Sequence, residues 1–337
     1  MAQHTGIVSS WDLPNFVGEL YTADAVPGQQ EANPSFLTLI GGMNGQNARV
    51  VPDMQYNMTV EFDYPNPAQP NISENSAITV LPDPVNPIYV NTRNTCQIYQ
   101  ESVAESYVSK ATRGRLITDQ LYPIGASTEA WLAETTPNRD AAALVAQISY
   151  ALARVARNVN HTFLNGAYVE STSKAVAART KGIITGVVTN AVLAGGAALS
   201  ETLVGTLMQS MVTNSSGKAF QYVPILMMNA FQKRKFSALF AFPPENRNIG
   251  GYNITMYETD FGTVGVLYEP NIPTDTILFV SLAIVKPVFN EVPGMGVLFY
   301  EKKAQVGASE GGMLYGHIGL DYGPEWMHGK ITGLAIA

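Results

Sequence analysis

The chain has 337 residues, of which 46% are hydrophobic and only 14% charged, and its formal net charge is −7. A soluble globular domain carries roughly 25% charged residues, so this surface is under-charged for a solitary protein, and part of its apolar area is expected to lie against other chains. The acidic balance excludes a protein that grips nucleic acid by neutralising phosphates, and the absence of any long charge run excludes a disordered one.

Cys96 is the single cysteine, which excludes an intrachain disulfide and a multi-cysteine zinc site. A small buried hydrophobe is expected there. Residues 1–10 lack the charged start and apolar core of a signal peptide. The most apolar stretch, 182–199, is broken by Thr185, Asn190 and glycines and is too short to span a bilayer. A reducing, aqueous compartment is the expectation.

Residues 1–34 mix small apolar groups with polar residues, Gly and Pro, without a period, and read as an extended arm that gains order from neighbours. A short apolar piece, Phe36 to Ile40, ends at Gly41 and Gly42. The cleanest strand signal follows. Met54, Tyr56, Met58, Val60, Phe62 and Tyr64 alternate without a break with Gln55, Asn57, Thr59, Glu61 and Asp63. At ~3.3 Å per residue this predicts one strand about 35 Å long with one covered face. Past a Pro-, Asn- and Ser-rich connector, a second strand at Ala77 to Leu81 leads through Pro82, Pro84 and Pro87 to Ile88, Tyr89 and Val90. The pair reads as a long hairpin, and a two-stranded hairpin is marginal alone in water. Something outside it is expected to cover the six apolar residues 54 to 64.

The strongest helix signal runs from Pro137, capped by Thr136, to Leu164. Leu144, Ile148, Leu152, Val155, Val159 and Phe163 recur at helical spacing, giving a spine about 42 Å long. A left-handed stop is expected at Asn165–Gly166. Arg154 and Arg157, one turn apart, are solvated charges or donors to salt bridges between subunits. Beyond the spine, helices are expected over 199–212, capped by Ser200, and over 229–240. Strands are expected at 222–228, 252–257, 265–268 and 277–285, with glycine-broken strands to the end. The class is α+β.

Catalytic patterns fail on context. Ser309 lies in a Gly-Ala-Ser-Glu-Gly run, and Asp321 and His328 follow in triad order. No buried strand precedes the serine, however, and no helix follows it. The four histidines lack metal spacing, Gly329–Lys330 lacks the rest of a phosphate loop, and no dinucleotide fingerprint follows a strand. No cofactor is expected. Lys233, Arg234 and Lys235 read as a solvated helix face.

The order of parts, together with several local runs, resembles the major capsid proteins of tailed bacteriophages. The runs are Asn94 to Ile98, Arg139 opening the spine, Ala178 to Ile183, Tyr257 to Gly262, Asp321 to Pro324 and His328 to Lys330. The resemblance implies a Hong Kong-97-type fold with an N-arm (1–44), E-loop hairpin and flanks (45–93), P-domain with the spine helix (94–177), A-domain (178–288) and returning P-domain strands (289–337). It implies a shell of hexamers and pentamers in the virion, made in the host cytoplasm and enclosing double-stranded DNA without sequence-specific binding. Portal and scaffolding proteins would be partners, with a decoration protein as a further candidate. The N-terminus is expected to stay on the mature subunit. An encapsulin-like compartment enclosing enzyme cargo is the alternative on the same fold. The best-known members cross-link an E-loop lysine to a neighbour's asparagine, and this chain has no lysine before Lys110.

Overall fold

The computed structural model describes residues 34–43, 47–64, 67–74, 85–107, 139–239, 245–249, 252–304 and 307–336. The arm before residue 34, the Ala77 to Leu81 strand and the Thr136–Pro137 cap lie outside them.

The described residues open with helix α1 (Ser35–Leu39) and then the short strands β1 (Arg49–Val51), β2 (Gln55–Asn57) and β3 (Glu61–Asp63). After β4 (Ile88–Val90) and β5 (Arg93–Thr95) comes the long β6 (Gln97–Ser106), and after that the spine helix α2 (Arg139–Asn165). Helix α3 (Ile183–Gly186), β7 (Ala191–Leu193), α4 (Glu201–Ser215), β8 (Ile225–Met228) and α5 (Ala230–Leu239) follow. The remaining strands are β9 (Glu245–Ile249), β10 (Tyr252–Thr259), β11 (Gly262–Tyr268), β12 (Ile277–Val280), β13 (Lys286–Asn290), β14 (Leu298–Lys302), β15 (Ser309–Asp321) and β16 (Gly329–Thr332).

Two sheets carry the fold. In the first, β1, β13, β15 and β14 run in order and β6 pairs with β15. The second has the order β7-β16-β12-β8-β11-β10-β9. The spine helix lays its expected face on the first sheet: Ile148, Leu152, Val155, Val159 and Phe163 are all buried. Ile148 and Leu152 pack with Val103 of β6 and Leu314 of β15. At about 1.5–3 kcal/mol per fully buried large apolar side chain, this stripe contributes on the order of 10 kcal/mol before entropy is counted. In the second sheet every residue of β8 and β12 is buried, as expected of central strands covered on both faces. Helix α4 begins where Ser200 accepts from Leu203 N–H at 3.3 Å, the expected cap.

Two expectations are corrected. The Asn165–Gly166 stop is not left-handed, because Gly166 is not among the glycines with positive φ. Its glycine serves close approach instead. A Cβ there would lie 2.3 Å from Thr180 O, where Gly182 N–H donates to Gly166 O at 2.9 Å. The single long strand from Met54 to Tyr64 is also broken. Tyr56 pairs with Asn94 in β2–β5 and Phe62 with Tyr89 in β3–β4, so residues 58–60 face only residues 91 and 92. That is a bulge, and one extra residue turns the following side chains onto the other face of the ribbon.

Candidate assembly surface

The bulge divides the hairpin into a root that folds onto its own chain and a blade that does not. At the root, the Tyr56 hydroxyl donates to Leu320 O at 2.8 Å, and burial pushes that phenol well above its ordinary pKa. Met58 is 2% exposed and belongs with Tyr56 to the core around β13 and β15. Met54 packs half-buried against the same core. The buried Asp321 carboxylate takes hold at the bulge itself. It accepts from Thr59 Oγ1 at 2.9 Å, Thr59 N–H at 3.1 Å, Gly323 N–H at 2.9 Å and an Arg49 guanidinium N–H at 3.3 Å. One step beyond, Trp326 Nε1 donates to Glu61 at 2.5 Å.

Beyond the bulge, most of the described apolar side chains of the ribbon are exposed. Val60 is 51%, Ile88 62% and Tyr64 69% exposed, with Tyr89 and Val90 beside them. The six-residue apolar face expected from the sequence is therefore not one surface. Tyr56 and Met58 are spent on this chain's own core, whereas Val60 and Tyr64 face outward. The side chain of Phe62 lies outside the described residues. Ile88, Tyr89 and Val90 of the returning strand were readable as apolar strand but were not among the expected contact residues.

Below the root, α1 is fastened by a second buried carboxylate. Glu269, at the end of β11 and fully buried, accepts from Ser35 Oγ at 2.5 Å, Phe36 N–H at 3.3 Å, Asn160 Nδ2 at 3.0 Å and Asn271 Nδ2 at 2.8 Å. The chain leaving the arm is thus tied at once to the spine helix and to the seven-stranded sheet. Neither Asp321 nor Glu269 carries a sequence signal for this role, because the partners that tie them to other elements, Thr59 and Arg49 for one and Ser35 and Asn160 for the other, lie far away in the chain.

Arg154 has a partner within its own chain. It pairs with Glu101 of β6 at 3.2 Å, a half-exposed pair of the kind that contributes at most about 1 kcal/mol. Arg157 stands one turn further along α2. Cys96 is fully buried between β5 and β6, and burial raises its thiol to about 12.

The triad order is dispersed by the fold. Ser309 opens β15 and Asp321 closes it, about 40 Å apart along an extended strand. Both nitrogens of His328 are engaged, Nε2 with Tyr322 O at 2.6 Å and Nδ1 with Ser281 N–H at 3.4 Å. Among the described residues no group of three or more His, Cys, Asp or Glu could hold a metal, and no helix is long and apolar enough to cross a membrane. Arg234 and Lys235 are exposed on α5, with the Lys235 ammonium 5.4 Å from the Phe231 ring.

Comparison with known proteins agrees with this geometry. Residues 24–335 match the family model of the SU10 major capsid protein, and no curated protein matches the chain. Among solved structures, a capsid chain of cyanophage A-1(L) is similar at a TM-score of 0.55 and 8% identity, covering 97% of this chain and 98% of that one. The capsid of a native GTA particle is similar at 0.51 and 14% identity, with 97% of each chain covered. The encapsulin of Synechococcus elongatus is similar at 0.55 and 10% identity, over 94% and 93% of the two chains. At such identities these likenesses speak for the fold, which is the Hong Kong-97 type. The family match spans nearly the whole chain, and the chain belongs to the SU10 major capsid protein family.

Proposed function

We propose that many copies of this chain close into the icosahedral head of a tailed phage, as hexamers and pentamers around double-stranded DNA, without catalysing any reaction. The observation that carries the reading is the uncovered blade β3–β4. A two-stranded ribbon with Val60 and Ile88 more than half exposed is marginal by itself, while its root is clamped to the body of its own chain. Repeated heterologous contacts in a closed shell supply the missing cover. The five-stranded sheet with α2 serves as P-domain, the seven-stranded sheet as A-domain and the hairpin as an E-loop lying across a neighbour. Portal, scaffolding and decoration proteins are the partners of such a shell, and synthesis belongs to the host cytoplasm.

The test is negative-stain microscopy of the protein expressed alone and with the scaffolding gene of its phage, followed by mass spectrometry of purified shells. Closed shells of uniform diameter that package DNA support the reading. Shells holding a co-purifying enzyme would make the protein a cargo compartment, and a dispersed monomer under both conditions would remove the shell function.

A further inference from the structure

Trp326 is half-buried, and its indole N–H is spent on the hairpin rather than on the body it grows from. It donates to Glu61 Oε2 at 2.5 Å, across 265 residues of chain. Glu61 opens β3 and pairs with Val90 of β4. The bond therefore lands on the first rung of the blade, next to the half-exposed Val60.

The backbone that carries this indole is fixed from the side of the seven-stranded sheet. Trp326 lies in the 3-10 turn Glu325–Met327, which leads into β16. The fully buried Asn190 donates from Nδ2 to Trp326 O at 2.7 Å and to His328 O at 3.0 Å. Its Oδ1 accepts from Ser210 Oγ at 2.9 Å and Asn214 Nδ2 at 2.8 Å, both on α4. The adjacent Glu325 carboxylate accepts from Val188 N–H at 2.8 Å and Thr189 N–H at 3.0 Å. The ring is met from the same side. The Lys218 ammonium lies over it, 6.0 Å from its centroid. Lys218 opens the turn Lys218–Phe220, and the Phe220 ring stands 5.4 Å from that of Phe279 in β12. A cation over the face of an indole draws electron density from it, which makes the N–H at its edge a stronger donor to a carboxylate.

Asp321, at the end of β15, holds Thr59. The ribbon is thus gripped from the five-stranded sheet at Thr59 and from the seven-stranded side at Glu61. A tryptophan that only filled space would need no acceptor at residue 61, and the bond to Glu61 is what separates the two roles. We propose that Trp326 is a positioning residue for assembly, whose indole N–H, through Glu61, sets the blade relative to the seven-stranded sheet as a neighbouring copy receives it. The inference rests on the shell reading and names one device within it.

A double-mutant cycle on assembly tests it, using the full-length chain under the conditions that give wild-type particles, with light scattering as the rate readout. Glu61→Gln keeps a carbonyl oxygen for the indole N–H, whereas Glu61→Met keeps the length of the side chain and removes the acceptor. Trp326→Phe removes the donor and keeps a ring. Glu61→Gln should assemble within about threefold of the wild-type rate. Glu61→Met and Trp326→Phe should each slow assembly about tenfold, and the double variant should be no slower than the slower single one. An unchanged rate in Glu61→Met would overturn the proposal. Equal losses in Glu61→Gln and Glu61→Met would overturn it too, by assigning the effect to the charge rather than to the bond. A double variant slowed by the product of the two single losses would show that the residues act separately, with the same consequence. Should the melting midpoint show that Trp326→Phe does not fold, the contrast between the two Glu61 variants decides alone. Failure of any of these contrasts leaves the shell reading intact, whereas absence of wild-type particles strikes the shell reading itself and this inference with it.

Discussion

Asp321, buried at the end of the longest strand, holds both the backbone N–H and the hydroxyl of Thr59, 262 residues earlier in the chain. This carboxylate makes the bulge a fixed joint rather than a loose connection. Asp321→Asn would turn an NH2 group toward donors that now meet an oxygen, breaking part of the hold on Thr59, Gly323 and Arg49 at a cost of about 1–3 kcal/mol. The expected outcome is a lower denaturation midpoint together with faster proteolysis between residues 60 and 90. Unchanged cleavage there would mean that Asp321 does not set the joint.

The division of the hairpin predicts opposite behaviour on its two sides. Val60→Asp with Ile88→Asp changes only exposed side chains, so the subunit should keep its melting midpoint and fail to form shells. Met58→Asp places a carboxylate where the side chain is 2% exposed, and should lower stability by about 3–5 kcal/mol. Thermal melts paired with sedimentation of each variant read both outcomes. Normal shells from the double variant would show that the blade is not an interface.

How much of this was legible depended on how far the deciding contact lies along the chain. The spine helix, the Ser200 cap and burial of Cys96 follow from neighbours within a turn or two, and the structure places them as the sequence implies. The alternation from Met54 to Tyr64 was equally clear but misleading. Nothing in it marks residues 58–60 as a bulge, because the offset is created by residues 91 and 92 on the partner strand and by Asp321. Arg154 likewise has a partner, Glu101, that helical spacing cannot reveal. Gly166 looked like a left-handed stop because the incoming 180–182 segment is invisible until the chain is folded.

Two glycines separate crowding from freedom. In helix α4, a Cβ on Gly205 would meet nothing within 4 Å, so Gly205→Ala should raise stability by roughly 0.5–1 kcal/mol through a less flexible unfolded chain and better helix propensity. At Gly182 a Cβ would fall 2.5 Å from Gly166 N and 2.7 Å from Thr162 O, backbone atoms that cannot rotate away. Gly182→Ala should therefore destabilise by more than about 2 kcal/mol, since relief requires moving the end of the spine helix. Urea midpoints of the two variants should move in opposite directions; a shared direction would contradict the packing at the 166–182 contact.

His328 gives the subunit an acid sensitivity with a definite sign. Burial lowers its pKa from 6.5 to about 4, and its Nδ1 accepts a hydrogen bond from Ser281 N–H that a protonated ring cannot accept. The unfolded chain then binds more protons than the folded one between the two values, so stability rises with pH in that window. It is fully present above about pH 6.5 and is lost progressively toward pH 4, by on the order of 3 kcal/mol. His328→Gln should flatten this part of the profile relative to wild type. Parallel melting curves of the two proteins from pH 7 to pH 4.5 would remove His328 as the source.

The shell should be held without covalent links through its hairpin. An isopeptide bond needs a lysine amine to attack an amide carbon, with ammonia as the leaving group. No lysine precedes Lys110, so the arm and the hairpin offer amides, Asn57 and Asn71 among them, but no nucleophile. A link could then form only if a lysine of a neighbouring body reached these amides. Without such a link, burial of Val60, Tyr64 and Ile88 against neighbours is the expected hold on the particle. Mature particles boiled in detergent should run as one band near 36 kDa; a ladder of covalent dimers, pentamers and hexamers would show that a lysine from the body of another subunit completes the bond.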